Sequence, residues 1–139
     1  MRITIQAVVE GPDGKPLRTE MVGTVERNAD GSPTFGLGLF LRETHALLRQ
    51  LQALVLRAQV SQFLDRASLC RRCGVRLATK DSKVVVYRTA FGRERLDSPR
   101  LYSRCSRCRA CASGKASFSP LAEALPERTH PQWLWLQSR

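Results

Sequence analysis

The sequence predicts an α+β fold, and three observations carry that expectation. Alternating apolar residues near the N-terminus form a hairpin pattern, a long uninterrupted segment has helical periodicity, and two cysteine pairs flank a second strand-rich stretch. The expected order is an N-terminal β-hairpin, one long α-helix, a four-cysteine zinc ribbon and short C-terminal helices. The expected division is 1–66 for hairpin and helix, 67–112 for a basic zinc ribbon, and 113–139 for a helical tail leading to a missing downstream domain. At 139 residues the chain has the length of one domain, or of two small modules sharing a core.

In the first element Ile3, Ile5, Ala7 and Val9 alternate with polar neighbours. The segment Gly11-Pro12-Asp13-Gly14-Lys15 turns the chain, and in the returning strand Thr19, Met21, Gly23 and Val25 alternate with Arg18, Glu20 and Glu26. From about Leu41 to Asp65 there is neither Gly nor Pro. Leu48, Leu51, Val55 and Ala58 recur at helical spacing, and Leu47, Leu54, Phe63 and Leu64 widen the stripe. Phe40 stands where a polar N-cap is expected, which points to a start nearer Thr44. A short hairpin cannot cover so wide a stripe, so a homo-oligomer or a larger protein partner is expected on the helix and on Trp133 and Trp135. Lys83–Thr89 reads as a strand, Phe91-Gly92 as its turn and Arg93–Asp97 as its return; Pro99 interrupts before a third short strand into Cys105. In the tail, Ser119 reads as N-cap and Pro120 as first position of a short helix, with a second helix over Trp133–Gln137.

All five cysteines fall in Cys70-Arg71-Arg72-Cys73-Gly74 and Cys105-Ser106-Arg107-Cys108-Arg109-Ala110-Cys111. Two Cys-x-x-Cys turns each aim two sulfurs at one point, and four thiolates close a tetrahedron around structural Zn2+. Cys70, Cys73, Cys105 and Cys108 are the favoured ligands, because Cys105 directly follows the strand Leu101-Tyr102-Ser103; Cys111 is the alternative. Disulfides suit the chain less well: its N-terminus reads as a strand rather than a signal peptide, and five cysteines leave one over. A redox pair normally occurs once, at the head of a helix. A catalytic zinc site normally includes His, whereas His45 and His130 lie far off in sequence. No catalytic residue is assigned, and the chain by itself is read as non-enzymatic.

Charge sharpens this picture. The net charge is +11, and residues 70–111 hold twelve Lys/Arg against three Asp/Glu, net +9. The candidate nucleic-acid contacts are Arg71, Arg72, Arg76, Lys83, Arg88, Arg93, Arg95, Arg100, Arg104, Arg107 and Arg109. Arginine grips phosphate bidentately and stacks on bases, so dense arginine on a rigid module favours DNA, with RNA as the other nucleic acid. Strand alternation places Arg93 and Arg95 on one face. No apolar run approaches the ~20 residues of a membrane span. Reduced thiols fit a bacterial-type cytosol, where the protein would be nucleoid-associated.

The chain resembles the N-terminal region of ISKra-type insertion-sequence transposases. The resemblance runs through Val25-Glu26-Arg27, Thr44-His45-Ala46-Leu47-Leu48 to Ala58-Gln59, and Cys70-Arg71-Arg72-Cys73-Gly74. It continues in Tyr87-Arg88-Thr89-Ala90-Phe91-Gly92, Ser98-Pro99-Arg100-Leu101, Phe118-Ser119-Pro120-Leu121-Ala122 and Pro126-Glu127-Arg128-Thr129. It implies that an RNase H-like catalytic domain follows this region and that the chain is the recognition or accessory part of a DNA-transposition enzyme. The third cysteine in the second cluster departs from the pattern. The alternative functions are a protein-interaction module in which zinc is purely structural, and an RNA- or hybrid-binding subunit of a larger nucleoprotein complex.

Overall fold

The computed structural model of the chain describes residues 1–27, 38–111 and 114–125. In chain order these form β1 (Arg2–Glu10), β2 (Pro16–Glu26), α1 (Leu41–Ala67), β3 (Thr79–Thr89), β4 (Gly92–Tyr102), β5 (Ser117–Phe118) and α2 (Pro120–Ala124). The architecture is α+β, with an N-terminal two-stranded hairpin, one long helix and a cysteine cluster. Two compact units divide the chain, Met1–Ala58 and Gln59–Arg139. Among the described residues, no helix is long and apolar enough to cross a membrane.

In the first unit β1 and β2 pair antiparallel, with a register shift where Ile5 faces Gly23 but Gln6 faces Met21. Val22 is the extra residue of this bulge, and a bulge changes which side chains point inward. The expected unbroken alternation through Thr19, Met21, Gly23 and Val25 is corrected accordingly. Gly23 and Val25 are half-buried and buried, but Met21 is 69% exposed and Val22 takes an inward place at 8%. Gly23 lies so close to α1 that a Cβ there would stand 2.5 Å from Leu47 Cδ2. Ala53, Leu54 and Leu56 are the buried residues of α1, while Leu48, Leu51 and Val55 remain 39–42% exposed.

The helix begins at Leu41, earlier than the absence of a polar residue at position 40 suggests. Glu43 supplies what Phe40 lacks: its Oε2 accepts the Phe40 N–H at 2.9 Å. Arg27 grips the same carboxylate with both terminal nitrogens, at 2.7 and 2.5 Å. Its guanidinium also donates to the Gly38 carbonyl at 2.8 Å and lies 4.7 Å over the Phe40 ring. One arginine thereby ties the end of β2 to the start of α1.

In the second unit β3, β4 and β5 form an antiparallel sheet in that order. The expected break at Pro99 is corrected: β4 runs through it, with Pro99 opposite Ser82. At Pro99 the strand has an open edge, because β5 pairs only with Leu101 and Tyr102, and an open edge is where a strand tolerates proline. The hairpin turn is organised by Thr89, whose Oγ1 accepts the Phe91 N–H and donates to the Gly92 carbonyl, each at 3.1 Å. Ser119 does precede α2, but its hydroxyl makes no cap bond. It pairs instead with the fully buried Ser98 hydroxyl at 2.7 Å. The expected helix over Trp133–Gln137 lies outside the described residues.

Candidate metal centre and the basic face around it

Each cysteine pair lies on a tight turn closed by two backbone hydrogen bonds. In the first, Gly74 N–H donates to the Cys70 carbonyl at 2.8 Å and Cys70 N–H to the Val75 carbonyl at 2.8 Å. The second repeats this partner for partner, Arg109 N–H to Cys105 and Cys105 N–H to Ala110, both at 3.0 Å. A short bridge flanks each turn, Leu69 with Arg76 and Arg104 with Cys111. The geometry needs a left-handed residue after the second cysteine. Gly74 adopts it at φ 71°, and Arg109 occupies the matching place at φ 52°. Glycine does so freely, whereas a residue with a Cβ is held there at a cost of about 1 kcal/mol.

The two turns bring Cys70, Cys73, Cys105 and Cys108 together, with all four sulfurs within 4.8 Å of one another. Cys70 Sγ lies 3.6 Å from Cys108 Sγ, and Cys73 Sγ lies 3.4 Å from Cys105 Sγ. Sulfurs about 2.3 Å from one centre at tetrahedral angles stand roughly 3.8 Å apart, so the arrangement is already close to that of a shared ion. Cys111 is exposed and lies outside this group, with its Sγ 3.6 Å from the Lys115 carbonyl. No disulfide joins any of the five. The cluster rests on a small apolar core in which Leu77 and Leu101 are 4% and 2% exposed, with Val75 and Phe118 beside them. These four cysteines could hold a metal ion.

The turns also prepare the sulfurs for negative charge. Backbone N–H groups of Cys108 and then Arg107 draw the Cys105 thiol down to about 6, against the opposing effect of burial. Those of Arg72 and Cys73 likewise lower Cys70. At Cys73 the Val75 N–H pulls downward, but the adjoining Cys105 thiol, burial and the remaining cysteines push it up to about 11. Four thiols this close cannot all ionise alone, and a bound cation removes that conflict.

The basic residues separate into distinct environments. Arg93 and Arg95 share the exposed face of β4, and Arg88 stands directly opposite Arg93 on β3. Lys83 lies on the other face of β3. Arg76 pairs with Asp65 at 3.0 Å and Arg100 with Asp81 at 3.4 Å. Among the described residues, no carboxylate lies within ion-pair distance of Arg71, Arg72, Arg88, Arg93, Arg95, Arg104, Arg107 or Arg109. Asp97 is on the Arg95 face but makes no ion pair with it.

A shallow cavity of about 330 Å³, largely open to solvent, lies beside the second cysteine turn and is lined by Ala78, Tyr102, Arg104, Cys105, Ser106 and Arg109. Sequence reasoning does not single out Tyr102 or Ser106 as site residues, because an aromatic in a strand reads first as core. The cue in the sequence is only that Tyr102 stands two residues before Arg104.

Comparison of the chain with family models, with curated proteins and with solved structures finds no match.

Proposed function

We propose that the chain is a nucleic-acid-binding module whose first target is duplex DNA. In this reading Cys70, Cys73, Cys105 and Cys108 hold a structural Zn2+ that stiffens a basic zinc ribbon. A shell of four soft thiolates suits zinc, and a closed shell leaves no position for substrate, so the ion serves the fold. The module then binds rather than catalyses. Its resemblance to transposase N-terminal regions supports a place as the recognition or accessory part of a DNA-transposition enzyme.

The observation that carries this reading is Arg88 facing Arg93 across the hairpin, with Arg95 on the same exposed face. Like charges directly opposite one another destabilise a strand pair, so the fold gains nothing from them. A polyanion gripped by all three accounts for the arrangement.

The test is fluorescence anisotropy with duplex DNA over a salt series, using zinc-loaded protein and the Arg93→Ala/Arg95→Ala variant. The log–log salt slope of the variant is expected to fall by roughly 0.9 for each lost phosphate contact. Unchanged affinity in the variant would remove the hairpin as the contact surface. A parent protein that binds neither DNA nor RNA at low salt would favour protein interaction instead, with exposed Leu48, Leu51 and Val55 as the docking face.

A further inference from the structure

We infer that the cavity beside the second cysteine turn is a seat for one unpaired nucleotide of a single strand, with the base on Tyr102 and the phosphate between Arg104 and Arg109. This rests on the nucleic-acid reading above and adds a second, distinct contact to the hairpin face.

The first argument is composition. The cavity of about 330 Å³ brings Tyr102, Arg104, Ser106 and Arg109 together along one lining. Tyr102 is 45% exposed, and Arg104, Ser106 and Arg109 are exposed as well, so the groups are open to a ligand. Stacking uses the face of any base, and arginine forks hold the adjoining phosphate. A base inside a duplex is already stacked on its neighbours, which restricts this seat to unpaired nucleotides.

The second argument is the identity of residue 109. Its counterpart in the first turn is Gly74, which satisfies the left-handed backbone without strain. Arg109 keeps that conformation although glycine would suit the turn better, and the residue lines the cavity. Strain retained at a ligand-facing position is accounted for by what the side chain binds. No carboxylate lies within ion-pair distance of Arg104 or Arg109 among the described residues.

The experiment uses the full zinc-loaded chain and measures anisotropy with short single-stranded deoxy- and ribo-oligonucleotides, an abasic deoxy strand, and duplex DNA. Tyr102→Leu is expected to weaken single-strand binding by roughly 5- to 150-fold while leaving duplex affinity within about twofold. The abasic strand should bind the parent protein as weakly as the intact strand binds the variant. Arg109→Gly, which relieves the backbone, is expected to raise the melting temperature yet weaken single-strand binding. That combination separates ligand contact from a merely structural role, and it holds even if Tyr102→Leu fails to fold. The deoxy and ribo arms report which single strand is preferred. Arg109→Gly and a folded Tyr102→Leu that both bind single strands as tightly as the parent would overturn the seat, while duplex binding lost in Arg93→Ala/Arg95→Ala would leave the broader reading standing. A parent protein that binds no nucleic acid overturns both.

Discussion

Arg27 and Glu43 show how a single ion pair substitutes for a missing helix cap. The bidentate hydrogen bonds from Arg27, reinforced by the Phe40 N–H, hold the Glu43 carboxyl at about 2, well below its ordinary 4.5. A carboxylate with a depressed value stabilises the fold in its ionised form. Its contribution is therefore complete above pH 4.5 and is lost as the pH falls toward 2. Denaturant unfolding of Glu43→Gln and the parent should differ most near neutral pH and converge in strong acid; a gap that widened toward pH 2 would contradict the assignment. Ser98 is a second residue whose role lies in one bond, its buried hydroxyl meeting that of Ser119 at 2.7 Å. Ser98→Ala should cost about 1 kcal/mol in equilibrium unfolding. Combining it with Ser119→Ala should cost less than the two single changes together, because both remove the same interaction.

At the scale of elements, the two cysteine turns act as one unit, since each supplies two of the four cysteines that could hold a metal ion and both rest on Leu77 and Leu101. Metal binding to such a cluster is itself a large part of folding free energy. On the zinc-ribbon reading proposed above, Cys73→Ser should lose stoichiometric zinc and the cooperative unfolding of residues 70–111, whereas Cys111→Ser should keep both. Elemental analysis with circular dichroism checks this, and zinc loss in Cys111→Ser would bring that residue back into the shell. The strands, the helix and the cysteine cluster were legible because each rests on local spacing: period two, period three to four, and Cys-x-x-Cys. What spacing does not reveal depends on partners distant in sequence. The bulge at Val22 breaks the alternation of β2 between Met21 and Gly23 through its pairing with β1. Pro99 remains inside β4 because β5 stops short of it, and β5 itself is only two residues long. The early start of α1 depends on Arg27, which stands 16 residues before the Glu43 it grips. Of the candidate site, the cysteines announce themselves by type, but the Tyr102 cavity exists only once the second turn folds beside β4.

For the whole molecule the question is whether the proposed nucleic-acid binding follows net charge or the placement of charge. Residues 70–111 carry net +9, so any polyanion is attracted in low salt whichever arginines touch it. Two charge-matched pairs separate these possibilities. Arg76 and Arg100 each face an aspartate, Asp65 and Asp81, whereas Arg93 and Arg95 share an exposed strand face with no such partner among the described residues. Arg76→Ala/Arg100→Ala and Arg93→Ala/Arg95→Ala remove the same two positive charges. If long-range potential alone drives binding, both variants lose affinity equally. If contacts drive it, only the Arg93/Arg95 variant loses salt slope, by about 1.8 for two phosphates at roughly 0.9 each, while the other keeps nearly the parent slope. We expect the second outcome in duplex binding measured by anisotropy from low to moderate salt. Exposed ion pairs such as Arg76–Asp65 add little to stability, so neither variant should unfold and the comparison reads binding alone. An equal fall in both variants would assign binding to the long-range potential and remove Arg93 and Arg95 as specific contacts.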